Sequence, residues 1–231
     1  MNADGERERS NAELIYDWNE VGRKGRLIPE GVTFFDETLR DGLQNPSVTD
    51  PTIDDKLKLL HLMEKIGIHV ADIGLPGSSK RAFDDVLRMC REISDNKLKL
   101  RVACAGRTVV SDITPMIEIS QRAGMPVEVY AFIGSSPIRQ FAENWDIATI
   151  AQKSAEAIDV AVKNGLEVAY VTEDTTRSRP DSLATLFKNA IDHGAARLCL
   201  CDTVGHSTPD GVRNLIGFTR SIIAGMGANV G

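Results

Sequence analysis

The sequence predicts an α/β fold, a (β/α)8 TIM barrel of which this chain supplies six βα units and the start of a seventh strand. Three observations carry that reading. Apolar runs rich in β-branched residues begin near Val32, Val70, Leu98, Val127, Leu166 and Arg197, and each is followed by a polar loop and a helical pattern. A unit that recurs every roughly 30 to 40 residues means parallel strands joined by crossover helices. The runs themselves, among them HVADIGL, LKLRVAC and RLCLCDT, are nearly continuous in apolar character, as strands are when both faces are covered. Polar groups collect at their C-terminal ends: Asp36 to Asp41, Asp72 with Pro76 to Ser79, Arg107, Ser135 and Ser136, Glu173 to Arg177, and Asp202 to His206. In a barrel the chemistry sits at that face. A doubly wound open sheet is the alternative, but no GxGxxG follows any strand, and its polar groups would gather at one switch point instead of six loops.

In chain order, residues 1–30 form a polar N-terminal arm in which Leu14, Ile15, Tyr16 and Trp18 could make a small helix, and residues 31–231 form the partial barrel domain. The first strand is expected at Val32 to Phe35. Thr52 with Asp55 resembles a capping box ahead of a Leu57, Leu60, Met63 stripe that stops at Gly67. Phe83, Val86, Leu87 and Cys90 recur at i, i+3, i+4 and i+7, so that helix lays one face on the sheet. Around Met116 and Ile117 the helical pattern is weaker. Ile147, Ile150, Ala151, Ile158 and Val162 mark the longest helix, closed by Gly165, and Leu183, Leu186, Ala190 and Ile191 follow Pro180. Thr208 as cap with Pro209 in the first turn opens the last helix. After it only Ala228 to Gly231 remain, whereas a complete barrel takes about 250 residues. The expectation is a chain cut at the seventh strand of a longer protein. An open arc would expose two sheet edges and apolar surface, inviting aggregation or partner pairing in isolation.

Of 231 residues, 42% are hydrophobic and 26% charged, with a net charge of -6, so no broad basic surface for nucleic acid or anionic lipid is indicated. Apolar runs break well before membrane-spanning length, and MNADGERERS has no apolar signal core, from which a cytoplasmic protein is expected. Cys90, Cys104, Cys199 and Cys201 lie inside apolar stretches with no CxxC pair and are expected as buried, reduced thiols, a metal or redox role for the Cys199 and Cys201 pair being the lesser alternative because that CxC sits at strand spacing with too few partners nearby. His61, His69, His193 and His206 are scattered, with no HxH or HxxxH pair.

The stretch FFDETLRDGLQNP, Phe34 to Pro46, is the candidate site. An apolar strand runs into Asp36, Glu37, Thr38, Arg40, Asp41 and Gln44 around Gly42. A strand end carrying carboxylates and a guanidinium, with a glycine to turn the backbone, is how α/β folds present ligand-binding groups. An ordinary strand end with solvated charges is the alternative.

DETLRDGLQ, ADIGLPGSS, YVTEDTTRS and CDTVGHSTP, in this order on strands 1, 2, 5 and 6, resemble the metal-dependent superfamily of 2-isopropylmalate synthase, homocitrate synthase and 3-hydroxy-3-methylglutaryl-CoA (HMG-CoA) lyase. The resemblance spans about residues 30 to 231. It implies an acyltransferase that converts the acyl group to an alkyl group on transfer. In the synthases a divalent cation (Mg²⁺, Mn²⁺ or Zn²⁺) chelates a 2-oxo acid, the methyl of acetyl-CoA is deprotonated, and the enolate adds to the ketone before the thioester is hydrolysed.

By position, Asp41 matches the metal ligand, Arg40 the electrostatic stabiliser, and Gln44 a positioning residue, with Asp36 supporting the strand end. Asp72 falls where the family usually has glutamate, one methylene shorter, and is expected at the substrate with Ser135. Glu173 matches a glutamate that orients a catalytic histidine or substrate, and Thr203 a donor to the oxo-acid carboxylate. Asp174 and Arg177 could instead form a local ion pair, and His206 a solvated loop histidine. Residues His69 to Leu75, Ser135, Ser136 and Ile138 are expected to set substrate size. The family's two metal-binding histidines, an HxH on strand 7, are not in this sequence, so the chain alone is expected to be inactive; a homodimer is expected for the full-length protein. The TEDTTRS and LPGSS segments favour a synthase. The alternatives are a carbon–carbon lyase like HMG-CoA lyase and a non-catalytic binding or assembly subunit.

Overall fold

The computed structural model of the chain describes residues 31–231. The expected N-terminal arm and its helix near Leu14 to Trp18 lie outside them. Six strands, β1 (Phe35–Asp36), β2 (Val70–Asp72), β3 (Arg101–Arg107), β4 (Val127–Gly134), β5 (Val168–Glu173) and β6 (Arg197–Leu200), pair in chain order, every pair parallel. The result is a curled half-barrel alternating with helices, as expected. β2, β4 and β6 begin at the residue expected; β3 and β5 begin three and two residues later. β1 is a correction: it spans Phe35–Asp36, not Val32 to Phe35. The reason is local, because the Phe34 N–H donates to His69 Nδ1 at 3.0 Å and leaves the ladder, while Val32 and Phe34 are exposed.

The helices are α1 (Ile53–Ile66), α2 (Lys80–Asp95), α3 (Val110–Ala123), α4 (Pro137–Glu143), α5 (Ile147–Lys163), α6 (Pro180–Asp192) and α7 (Pro209–Met226). Their starts are fixed by side chains that satisfy orphan amides. Thr52 Oγ1 accepts from Asp55 N, Ser79 from Ala82 N, Asp146 from Thr149 N and Thr208 from Gly211 N. α1 ends at Gly67, whose φ of 87° is a left-handed conformation that glycine adopts without a Cβ penalty. α3 forms around Met116 and Ile117 despite Pro115 inside it, held by its buried stripe of Ile113, Met116 and Ile119. α4, opened by Ser136 and Pro137, has no counterpart in the sequence-based expectation.

The core is the layer between helices and sheet. Leu60, Ile113, Met116, Ile150, Ile158, Leu186 and Phe187 are fully buried against it. Beneath α5 the buried hydroxyls of Ser154 and Tyr170 bond at 2.9 Å, and Ser154 also donates to Ile150 O at 2.8 Å. At the free side of β6, Leu198 N donates to Gly231 O at 3.0 Å and Gly231 N to Ala196 O at 3.1 Å, so Gly231 stands where a seventh parallel strand would pair. Among the described residues β1 and β6 do not pair, and the sheet is open. No helix among them is long and apolar enough to cross a membrane.

Candidate active site

The loop after β1 is a tight turn stapled by its own residues. Asp36 Oδ1 accepts from Thr38 N at 2.8 Å, and Glu37 O accepts from both Arg40 N (3.2 Å) and Gly42 N (3.0 Å). Asp36 therefore braces the strand end, as expected. A 3-10 turn, Gly42–Gln44, follows. Leu39 is pulled into the core at 3% exposure, which turns its neighbours Arg40 and Asp41 outward over the sheet's C-terminal edge.

Arg40 is gripped by three carboxylates. Its Nε donates to Asp72 Oδ2 at 3.2 Å and its Nη1 to Asp41 Oδ1 at 3.1 Å, while Nη2 lies 2.6 Å from Glu37 Oε2. Asp72 is fully buried at the end of β2, where it also accepts from Gly74 N at 3.1 Å. Burial and the Glu37 charge push its carboxyl up to about 7, against the opposing pull of Arg40. Burial likewise raises Glu37. Three carboxylates about one guanidinium leave the cluster short of positive charge whenever all are ionised.

These groups open into a cavity of about 630 Å³. Arg40, Asp41 and Gln44 line it from the β1 loop, Glu173 from the end of β5, and Thr203 from the loop after β6. Glu173 has no side-chain hydrogen bond among the described residues, so its carboxylate is available to a ligand. Thr203 Oγ1 accepts from Asp174 N at 2.9 Å and keeps its own proton to donate. Asp174 carries a positive φ of 60° and is chelated by Arg177 at 2.8 and 2.7 Å, the local ion pair foreseen.

The inner wall follows from register. Phe132 sits beside Val171 and Val171 beside Cys199 as Cα partners, and all three face the cavity. Two residues along the same face come Tyr130, Glu173 and Cys201, as the strand period of two requires. Tyr130, Phe132, Cys199 and Cys201 were not anticipated, and Glu37, part of the candidate stretch, carries no role of its own in the sequence-based expectation. In near-continuous apolar strands no alternation tells the inner face from the outer.

Three expectations are corrected. Ser135 does not line the cavity; it is fully buried beneath it, its Oγ donating to Glu173 O at 3.1 Å and meeting Ser178 Oγ at 2.7 Å, so it fixes the backbone that carries Glu173. Asp72 is likewise not in the lining and acts through Arg40. Of His69 to Leu75, Ser135, Ser136 and Ile138, only Leu75 reaches the cavity. Cys199 and Cys201 are half-buried and face the cavity, whereas Cys90 and Cys104 are buried as expected. His206 is exposed, its N–H donating to Asp202 Oδ1 at 2.8 Å. In the LPGSS loop, a Cβ on Gly77 would come within 3.0 Å of the Asp112 backbone, so glycine lets this loop pack on α3.

The donor set suits a hard cation only in part. Asp41 and Glu37 offer carboxylate oxygens and the cluster's charge favours a cation, but no group of three His, Cys, Asp or Glu able to hold a metal occurs among the described residues.

The chain is 32% identical over 183 residues to 2-isopropylmalate synthase of Lactococcus lactis subsp. cremoris, covering 78% of this chain and 34% of that one. It is 30% identical over 194 residues to 2-isopropylmalate synthase of Pyrococcus abyssi, covering 84% of this chain and 39% of the relative. The chain thus spans about a third to two-fifths of the length of these relatives. The fold is that of HMG-CoA lyase from Brucella melitensis (TM-score 0.64, 20% identity, 83% of this chain and 68% of that one) and from Bacillus subtilis (TM-score 0.66, 18% identity, 82% and 64%). Residues 31–227 match the HMGL-like family, and the chain belongs to that family.

Proposed function

We propose that this chain carries the strand-1 to strand-6 part of the active site of an enzyme that condenses acetyl-CoA with a 2-oxo acid. The observation that supports this best is the convergence of Arg40, Asp41, Gln44, Glu173 and Thr203, from three separate strand ends, on one cavity. A 2-oxo acid presents a carboxylate and a ketone oxygen on adjacent carbons. The Thr203 hydroxyl donates to the carboxylate. Arg40, fixed by Asp72 and Glu37, sets positive charge where the ketone oxygen gains negative charge as its carbon is attacked. Gln44 and Glu173, both without side-chain partners among the described residues, orient the reactants. Tyr130, Phe132 and Val171 form an apolar floor that excludes water from the enolate. The divalent cation used in this chemistry would polarise the ketone. Among the described residues, Asp41 and Glu37 do not complete its coordination.

The test is a thiol-release assay on the whole protein with Mg²⁺ or Mn²⁺, acetyl-CoA and a panel of pyruvate, 2-oxoisovalerate and 2-oxoglutarate. CoA release with one of them is expected. Acetyl-CoA formation from a hydroxyacyl-CoA would select a lyase instead, and silence in both would leave a binding subunit.

A further inference from the structure

The two thiols at the end of β6 face the cavity, while the chain's other two cysteines are sealed in the core. Cys90 and Cys104 are 0% exposed, and burial pushes the Cys90 thiol up to about 12 and holds the Cys104 thiol well above its ordinary range. Cys199 and Cys201 are partly open and share a wall with Arg40 and Glu37. Their i, i+2 spacing sends both side chains to one face of the strand. Residues two apart on a strand have Cα atoms about 6.6 Å apart, at the upper end of the roughly 4.4–6.8 Å that a disulfide spans, and Cβ atoms farther apart than the roughly 3.5–4.5 Å of a relaxed bridge, so closure requires Cys201, past the end of β6, to bend back toward Cys199. Beyond Leu200 the ladder stops, and the Cys201 N–H donates to Thr175 Oγ1 at 2.9 Å, so the second thiol sits where backbone pairing has been replaced by a side-chain contact.

Burial and the Glu37 charge oppose ionisation of both thiols, and the Arg40 charge favours it. Loss of the proton from one sulfur disfavours its loss from the neighbour, so one thiol can act as thiolate while the other stays protonated, the division that an attacking and a resolving cysteine need.

We propose that Cys199 and Cys201 form a redox-modifiable dithiol in the wall of the cavity, in which one thiol attacks low-molecular-weight disulfides and the other resolves the product. The attacking thiolate, its proton lost to solvent, attacks one sulfur of R–S–S–R. A mixed disulfide forms, and RS⁻ leaves and takes a proton from water. The second thiol then gives its proton to solvent and attacks the protein sulfur of the mixed disulfide, the second RS⁻ departs and takes a proton from water, and a Cys199–Cys201 disulfide remains. Two protein thiols are oxidised and one small disulfide is reduced to two thiols. A bridge between neighbours on an extended strand is strained and therefore easily reduced again, as a reversible modification must be. The proposal stands whether or not the condensation reaction assigned above is correct, since it needs only the cavity and its two sulfurs.

The test uses the chain under conditions where it melts cooperatively. A pulse of iodoacetamide followed by peptide mass mapping is expected to label Cys199 and Cys201 at least about tenfold faster than Cys90 and Cys104. Oxidised glutathione is then expected to leave the wild type with one Cys199–Cys201 disulfide, two hydrogens lighter, whereas Cys201→Ser and Cys199→Ser each stop at a glutathione adduct on the remaining cavity thiol. Labelling of Cys199 and Cys201 no faster than Cys90 and Cys104 would overturn the proposal. So would a wild-type adduct that persists as long as the one on Cys201→Ser.

Discussion

Arg40 Nε donates to Asp72 Oδ2 at 3.2 Å, joining a guanidinium on the β1 loop to a fully buried carboxylate on β2. Asp72 thereby acts on the cavity without lining it. The shorter side chain keeps the carboxylate inside the sheet, so it positions Arg40 and leaves the open space to Asp41 and Glu37.

That burial makes stability depend on pH with a definite sign. The folded chain holds the Asp72 carboxyl up to about 7, above its value in the unfolded chain, so folding favours the protonated form. Its contribution is complete below about pH 4, the unfolded value, and fades as pH rises through about 7. Over that interval it changes by at most about 4 kcal/mol, since each pH unit between the two values is worth about 1.36 kcal/mol. Urea melts at pH 5 and pH 8 should therefore show wild type losing stability relative to Asp72→Asn as pH rises. A difference independent of pH would show that the carboxyl titrates normally.

Arg40 is expected to be sensitive even to a charge-preserving change. A lysine cannot meet three carboxylates in the plane of a guanidinium fork. In the whole protein Arg40→Lys should lower kcat for CoA release by roughly 10²- to 10³-fold, as loss of a fixed oxyanion donor does, with a smaller change in KM. A rise in KM with kcat unchanged would make Arg40 a binding residue only.

The Ser154–Tyr170 pair predicts an asymmetry that depends on where each hydroxyl goes when left alone. In Tyr170→Phe, Ser154 still donates to Ile150 O, and the loss should be about 1 kcal/mol. In Ser154→Ala the Tyr170 hydroxyl is stranded at 0% exposure, and the loss should be about 1–3 kcal/mol. Denaturant melts of both variants check the order, and equal losses would contradict it.

Calorimetric titration of the 231-residue chain with Mg²⁺ and Mn²⁺ should show no tight stoichiometric site, because Asp41 and Glu37 fall short of the donors such a cation needs. A clear one-to-one isotherm would mean that the described residues understate the donor set.

Much of the fold can be read from sequence because its signals are local. Thr52 and Thr208 announce helix starts through hydroxyls that cap amides three residues on, and Leu57, Leu60 and Met63 repeat at helical spacing. The site is legible where polar residues interrupt an apolar run: Arg40, Asp41, Gln44, Glu173 and Thr203 all reach the cavity. Ser135 shows the limit. A polar residue at a strand end can point down into the backbone of its neighbour as readily as into the cavity, and only the register of β4 on β5 decides which. Cys199 and Cys201 read as core residues for the related reason that an unbroken apolar strand conceals which side faces inward.

The most direct measurement is hydrogen exchange of the whole protein, read by mass spectrometry, with and without saturating 2-oxo acid and Mg²⁺, for each acid of the panel. Protection is expected in residues 36–44, 171–177 and 199–206 together, for at least one acid. Protection confined to the opposite ends of the strands, near Arg101, Val127 and Arg197, or absent from all three segments with every acid, would contradict a shared site at the strand tips.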